Sequence, residues 1–172
     1  MDNNQIFLIG MMYSGKSTIG KHLSKKLNLH LLDLDNEIEK IMDISIDEIF
    51  RLYGENRFRL IETAFFKECS KLEKHIIVTG GGTIISKSNQ LILQNKKNTF
   101  FLDVSPEKIF ERFKNDSGKN KRPILNNCSI NLIQDLYQQR ISIYKACSKY
   151  IINTELLSEG EAVLKIQEHL NA

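Results

Sequence analysis

The sequence contains no tryptophan and only two prolines and three cysteines among its 172 residues. The cysteines, Cys69, Cys128 and Cys147, are odd in number and far apart, so they fit neither a zinc site nor a dense disulfide framework. Reduced thiols of a cytoplasmic protein are therefore expected. The rest of the composition, with 41% hydrophobic and 26% charged residues, is ordinary for one soluble globular domain covering residues 1–172.

Long apolar runs and an excess of one charge are also missing. No run approaches the ~20 residues that a membrane-spanning helix needs, and the first residues, "MDNNQ", lack the basic start of a secretory signal. The 24 basic and 21 acidic residues give a net charge of only +3, with a pI of about 8.7. This balance is too mild for a nucleic-acid-binding protein. We therefore expect a cytoplasmic enzyme or binding protein that contacts neither nucleic acid nor membrane.

Short apolar runs alternate with longer amphipathic stretches along the whole chain. This alternation predicts an α/β domain whose parallel sheet is covered by helices on both faces. Helix starts are visible as well, since Ser105 and Pro106 fit the N-cap and the first position of a helix. The predicted strands cover residues 5–9, 30–34, 75–79, 99–104 and 150–153.

The most polar and least regular segment covers residues 114–129. It contains glycine, proline and five Asn or Asp residues. A polar loop of this length in a compact domain is either disordered or a functional lid.

A phosphate-binding loop is predicted at residues 10–18, "GMMYSGKST", which fit the pattern G-x-x-x-x-G-K-[ST]. The glycines let successive backbone N–H groups point at a polyphosphate, and the following helix presents its positive end to the same anion. Lys16 is expected to reach the β- and γ-phosphates, and the Ser17 hydroxyl to ligate Mg²⁺. The motif follows a predicted strand and opens a predicted helix, as this chemistry requires.

Two carboxylates, Asp33 and Asp35, end the second predicted strand, at the edge of the sheet where ligands bind in open α/β proteins. If the chain is still extended there, both side chains lie on one side of the strand. One can then join the Mg²⁺ shell while the other reaches a hydroxyl of an acceptor. Alternatively, Asp35 caps the helix that follows. The two residues alone leave both interpretations open.

Glycines and arginines supply the remaining candidates. The run "TGGG" follows the third predicted strand, and residues without side chains let backbone amides approach a small ligand directly, although most such runs are only turns. Isolated arginines are usually solvated or in surface ion pairs. The arginines that are candidates for a binding site are Arg59, Arg112, Arg122 and Arg140.

In combination, these motifs resemble the shikimate kinase family. The chain carries the phosphate loop, D-x-D at 33–35, F-R-x-x-E at 58–62, T-G-G-G at 79–82, R-P at 122–123 and R-x-x-x-Y at 140–144. Their order and approximate spacing are those of the family. Each short motif is weak alone, but the ordered combination with a phosphate loop is highly specific and spans essentially the whole chain.

The resemblance implies a P-loop NTPase fold of three layers, with a five-stranded parallel sheet in the order 2-3-1-4-5 between helices. It also implies a substrate-binding segment at about 33–61 and a lid at about 112–127. The implied reaction is phosphorylation of the 3-hydroxyl of shikimate by ATP, which gives shikimate 3-phosphate and ADP in the chorismate pathway to aromatic amino acids. The implied cofactor is Mg²⁺, and a monomer is expected.

The resemblance further implies roles for individual residues. The catalytic residues would be Lys16, Asp35, which orients or deprotonates the attacking hydroxyl, and Arg122, which stabilises charge on the transferring group. Ser17 and Asp33 would hold the metal, and Glu62 would hold Arg59. ATP would contact Gly10, Tyr13, Ser14, Gly15, Lys16, Ser17, Thr18, Arg112 and Arg122, and shikimate would contact Asp35, Phe50, Phe58, Arg59, Gly80, Gly81, Gly82 and Arg140.

One departure from the family concerns Tyr13, which stands where the family usually has glycine. We expect its main chain to adopt a conformation open to a residue with a Cβ, with the ring directed away from the phosphates.

Two alternative functions stay open. The first is another small-metabolite kinase of the same fold, such as a gluconate kinase, and the second is a non-catalytic nucleotide-binding relative.

Overall fold

A computed structural model describes residues 5–116 and 129–171 of the chain. Arg122, Cys128 and most of the segment predicted as a lid lie outside these residues. In the described part, none of the helices is long and apolar enough to cross a membrane.

Five parallel strands form one sheet in the order β2-β3-β1-β4-β5, which confirms the predicted topology. The strand order changes direction at β1, because β3 pairs with one side of β1 and β4 pairs with the other. Ligands bind at such a switch point, beyond the carboxyl ends of the strands. The strands are β1 (Ile6–Ile9), β2 (His30–Asp33), β3 (His75–Val78), β4 (Thr99–Asp103) and β5 (Tyr150–Asn153).

Seven helices connect and cover the described strands, together with a short 3₁₀ turn at Thr83–Ile85. Their bounds are α1 (Lys16–Leu27), α2 (Leu34–Met42), α3 (Ile46–Cys69), α4 (Lys87–Gln94), α5 (Pro106–Asn115), α6 (Ile130–Cys147) and α7 (Glu159–Leu170). Ser105 caps α5 as predicted, since its side chain accepts a hydrogen bond from the Lys108 amide. Helix α3 bends at Gly54, where φ is 73°.

Each face of the sheet carries its own apolar core, because successive strand residues point to opposite faces. Phe7 and Phe101 belong to the core under α2 to α6, whereas Leu8 and Phe100 belong to the core under α1 and α7. The central strands are therefore buried at nearly every position, as parallel strands covered on both sides must be. This rigid centre leaves the carboxyl ends of β1, β2 and β3 as the platform for a site.

Candidate active site

A cleft of about 900 Å³ lies beyond the carboxyl ends of the strands. It brings together nearly all the described residues that the sequence predicted for ATP and substrate binding. The predicted residues that line it are Tyr13, Ser14, Gly15, Lys16, Ser17, Thr18, Asp33, Asp35, Phe50, Phe58, Arg59, Gly80, Gly81, Gly82, Arg112 and Arg140. Arg122 is a predicted site residue that falls outside the described residues.

Gly10 does not line the cleft, although the sequence predicted contact with ATP. Its φ is 150°, and a Cβ there would lie 2.6 Å from the carbonyl oxygen of Leu102 in β4. Glycine is therefore required at this position so that the loop can leave β1 close to the neighbouring strand. The other loop glycine, Gly15, has a φ of 90° and immediately precedes α1.

Lys16 is buried and lies over its own loop. Its Nζ donates hydrogen bonds to the carbonyl oxygens of Gly10 and Met11 at 2.9 and 2.7 Å. These bonds hold the ammonium group inside the cleft, beside the N-terminus of α1. The two together form a strongly cationic end of the cleft, suited to a polyphosphate.

Ser17 and Asp33 form the pair of oxygens predicted to hold a metal. The Ser17 hydroxyl donates to Asp33 Oδ2 at 2.6 Å, so the two oxygen donors are adjacent at the mouth of the phosphate loop. Mg²⁺ prefers oxygen ligands and usually takes one or two from the protein, with phosphates and waters completing the shell. No cluster of three or more His, Cys, Asp or Glu residues suited to a metal occurs in the described part of the chain. The donor set thus fits a metal that is bound together with a nucleotide.

Asp35 occupies a position that neither sequence interpretation anticipated. Helix α2 begins at Leu34 and its N-cap is Asp33, so Asp35 is neither on an extended strand nor the capping residue. It lies in the first turn of α2, where the helix dipole favours a negative charge. Asp35 Oδ1 also lies against Gly80, since a Cβ at Gly80 would be 2.6 Å from that oxygen.

Arg59 is held by two carboxylates of its own helix. Its Nη1 donates to Glu62 Oε2 at 2.7 Å, and its Nε and Nη2 donate to Glu55 Oε1 at 3.2 and 3.0 Å. Burial alone would lower the pKa of Arg59, but Glu62 and Glu55 offset this and raise the pKa above its ordinary value. The role predicted for Glu62, holding Arg59, agrees with this ion pair.

Glu62 is almost completely buried, with 1% of its surface exposed. Burial raises the pKa of Glu62, while Arg59 and the Thr83 hydroxyl, which donates to Glu62 Oε1 at 2.7 Å, act in the opposite direction. Glu62 therefore depends on Arg59 to stay charged, because an unpaired buried carboxylate is costly.

Arg140 is the second buried guanidinium of the cleft. Its Nη1 donates to the Gly81 carbonyl at 3.3 Å, and the Tyr144 hydroxyl donates to the same oxygen at 2.5 Å. Tyr144 is fully buried and stacks flat on Phe101 of β4. Burial lowers the pKa of Arg140, and the nearby Arg59 acts in the same direction. Two cations that repel each other in one pocket favour an anion between them.

A different neighbouring group would meet a side chain at each of the three glycines, Gly80, Gly81 and Gly82. The sequence predicted that all three let backbone amides approach a ligand. In the structure, a Cβ at Gly82 would collide with the guanidinium of Arg59, whereas a Cβ at Gly80 would meet the carboxylates of Asp35 and Glu62. A Cβ at Gly81 would lie 3.2 Å from the Met12 amide nitrogen. Two of the glycines therefore make room for functional side chains.

We predict that Gly82→Ala raises the KM of the acceptor that Arg59 binds at least about tenfold, because Arg59 must move and one hydrogen bond to a charged group is worth about 1.5–3 kcal/mol. Gly160→Ala is the matched control, since Gly160 is exposed in α7 and no atom lies within 4 Å of the position that an added methyl group would take. Steady-state kinetics with both substrates varied would measure the effect. An unchanged KM in Gly82→Ala would contradict the tight contact with Arg59.

Two aromatic rings, those of Phe50 and Phe58, line the cleft. Phe50 and Phe58 lie with ring centroids 4.8 Å apart, one on either side of the bend at Gly54. The guanidinium carbon of Arg59 lies 5.1 Å from the centroid of Phe58. The bend in α3 thus places an apolar surface directly beside a cation, which suits a small acid with a hydrocarbon ring.

Arg112 joins the phosphate loop to the segment after β5. Its Nη1 donates to the Tyr13 carbonyl at 2.8 Å, and its Nη2 donates to the Thr154 carbonyl at 3.3 Å.

Thr154 lines the cleft but was not predicted from the sequence, since no local pattern signals it. Glu55 was not predicted either, although its position four residues before Arg59 is a spacing that pairs charges on a helix.

Tyr13 does not adopt the conformation expected from the sequence. We expected a main chain open to a residue with a Cβ, yet its φ is 59°, in the left-handed region that favours glycine. Its side chain extends to α5, where the hydroxyl donates to Asp116 Oδ2 at 3.0 Å.

The chain is similar in sequence to shikimate kinases. The sequence profile of the family described as shikimate kinase matches residues 12–171. A shikimate kinase of Caldicellulosiruptor saccharolyticus is 41% identical over 162 residues, which cover 94% of this chain and 92% of that protein.

Solved structures show the same similarity in three dimensions. The shikimate kinase from Acinetobacter baumannii, solved in complex with shikimate, has a TM-score of 0.90 at 30% identity, with 97% of this chain and 92% of that chain covered. The shikimate kinase from Bacteroides thetaiotaomicron has a TM-score of 0.88 at 32% identity, with 98% of each chain covered. Because the family profile covers nearly the whole chain and these relatives are 30–41% identical over nearly its full length, the chain belongs to the shikimate kinase family.

Proposed function

We propose that this protein is an ATP-dependent phosphotransferase that moves the γ-phosphate of ATP to the 3-hydroxyl of shikimate, giving shikimate 3-phosphate and ADP on the chorismate pathway. One observation carries the proposal: a single cleft is lined by the cationic phosphate loop, by the pair Arg59 and Arg140, and by Asp35. A donor anion and an acceptor anion can thus be held at the same time.

The acceptor end suits a small hydroxylated acid. Arg59 and Arg140 bind the carboxylate of shikimate, and the aromatic wall of Phe50 and Phe58 contacts its ring. Asp35 accepts a hydrogen bond from the attacking hydroxyl and orients it. Phosphoryl transfer depends more on positioning and charge neutralisation than on a strong base, so a carboxylate held by a helix and by Gly80 is sufficient.

The donor end binds the nucleotide. The N-terminus of α1 and Lys16 neutralise the β- and γ-phosphates, and Arg112 lies beside the nucleotide. Ser17 and Asp33 hold Mg²⁺, which neutralises charge on the phosphate oxygens when it is bound. Arg122, outside the described residues, is proposed to stabilise charge on the transferring group. A monomer and a cytoplasmic location are also part of the proposal, and light scattering and cell fractionation test them.

A coupled ADP-release assay with shikimate, gluconate or no acceptor tests the function. We expect Mg²⁺-dependent ADP release with shikimate and little release with gluconate or without acceptor. Turnover with gluconate but not with shikimate would favour a gluconate-type kinase. ATP binding without turnover on either acceptor would favour a non-catalytic nucleotide-binding protein.

A further inference from the structure

Tyr13 combines an unfavourable backbone with specific side-chain contacts. At φ 59° the position favours glycine, because a left-handed conformation is uncommon for a residue with a Cβ. The half-buried side chain must therefore supply interactions that offset the cost. These interactions connect the phosphate loop to helix α5.

Three contacts join Tyr13 to the last turn of α5. The Tyr13 hydroxyl donates to Asp116 Oδ2 at 3.0 Å, and its ring packs edge-on against Phe113 with centroids 5.9 Å apart. The Tyr13 carbonyl accepts the hydrogen bond from Arg112 Nη1 at 2.8 Å. The side chain and the main chain of one loop residue thus bind three residues at the end of one helix.

Thr154 provides a further link between Arg112 and the phosphate loop. Arg112 Nη2 donates to the Thr154 carbonyl at 3.3 Å, and Thr154 Oγ1 donates to the Ser14 carbonyl at 3.4 Å. The phosphate loop, the end of α5 and the segment after β5 therefore form a closed ring of contacts around the nucleotide end of the cleft. Arg112 is a charged member of this ring that lines the cleft, and its orientation depends on its hydrogen bonds to Tyr13 and Thr154.

We infer that Tyr13 is a positioning residue for the nucleotide, which fixes Arg112 and the phosphate loop relative to each other by binding the end of α5 through its hydroxyl. The inference rests on the proposed function of the cleft as an ATP site. Glycine, which the family usually has at this position, supports the same backbone but has no hydroxyl to bind Asp116. The contact is therefore a device of this chain for holding ATP, and shikimate binding at Arg59 and Arg140 does not involve it.

Tyr13→Phe tests the inference, because it removes the hydroxyl and keeps the ring on Phe113. We expect the ATP KM to rise about three- to tenfold, the range that one partly buried hydrogen bond gives. The kcat and the shikimate KM stay within about twofold of the wild type. The Kd of ATP, measured by calorimetry without shikimate, rises by the same factor as the ATP KM, so this readout stands even if shikimate is not the acceptor.

Asp116 variants and a control variant complete the test. Asp116→Asn keeps an oxygen acceptor for the Tyr13 hydroxyl and stays near the wild-type ATP Kd, whereas Asp116→Ala matches Tyr13→Phe. The double variant Tyr13→Phe with Asp116→Ala adds no further loss, since both changes remove the same bond. Tyr137→Phe is the control, because Tyr137 also donates to a carboxylate, Asp103 Oδ1, at 2.9 Å but does not line the cleft. An unchanged ATP Kd in Tyr13→Phe, or an equal rise in Tyr137→Phe, would overturn the inference.

Discussion

Replacing Asp35 with asparagine is expected to lower kcat about 1,000-fold while the KM of ATP stays within a few-fold of the wild type. Asparagine has nearly the same shape, so the packing against Gly80 is retained. What is lost is the negative charge that accepts the proton and the strong hydrogen bond from the attacking hydroxyl. General-base and orienting groups of this kind contribute about 10²–10⁴ to the rate.

The surroundings of Asp35 explain why the loss should appear in kcat. Asp35 lies in the first turn of α2 and lines the same cleft as the phosphate loop. In the proposed function it acts on the attacking hydroxyl. An amide at this position still donates and accepts hydrogen bonds, and shikimate can still bind through its carboxylate. The substitution therefore removes an interaction that matters most in the transition state.

The other end of the same helix offers a matched control. Asp43 is exposed, follows α2 and has a φ of 55°, a conformation that asparagine tolerates well. Asp43→Asn carries the same chemical change outside the cleft and should leave kcat unaltered. A loss smaller than about tenfold in Asp35→Asn would show that Asp35 is not the group that orients the hydroxyl.

The sheet order and the phosphate loop were predictable because both depend on local patterns in a known combination. Alternating apolar runs give the strands, and the ordered motifs fix the family to which the topology belongs. The residue at which β2 ends was harder to predict from the sequence. Leu34 continues the apolar run "HLLDL" and is fully buried, but it is buried as the first residue of α2. Hydropathy alone does not distinguish a buried strand residue from a buried helix residue. Neither alternative considered for Asp35, an extended strand or the N-cap of α2, was therefore correct.

Contacts between distant segments could not be predicted from the sequence, for a different reason. Arg112 binds carbonyl oxygens 99 and 42 positions away along the chain, at Tyr13 and Thr154. Backbone carbonyls carry no sequence signal, because every residue has one. The glycine run shows the same limit, since only the fold reveals that Gly82 faces Arg59 and Gly80 faces two carboxylates. The roles assigned to individual site residues, including Arg122, stay predictions until variants are measured.

The second large effect is expected on shikimate binding. Arg59→Ala and Arg140→Ala should each raise the shikimate KM about 100-fold, because each removes hydrogen bonds to a carboxylate that together are worth about 2–3 kcal/mol. The KM of ATP should change little, since neither guanidinium belongs to the phosphate loop. Arg57→Ala is the control on the same helix, because Arg57 is exposed and does not line the cleft. Unchanged shikimate KM values in both variants would contradict the carboxylate assignment.

The pH dependence of protein stability should distinguish Arg59→Ala from Arg140→Ala, because of these two arginines only Arg59 is hydrogen-bonded to the buried Glu62. Burial already raises the pKa of Glu62 above its ordinary value of 4.5, and removing Arg59 raises it further. A carboxyl group whose pKa is higher in the folded than in the unfolded state favours folding below the unfolded pKa, and this contribution is lost as pH rises through the folded pKa. The difference in Tm between the wild type and Arg59→Ala should therefore be smallest near pH 4.5, the ordinary pKa of a glutamate, and grow as the pH rises above it. Arg140→Ala should show a much weaker trend, and an equal trend in both variants would count against Glu62 as the titrating group.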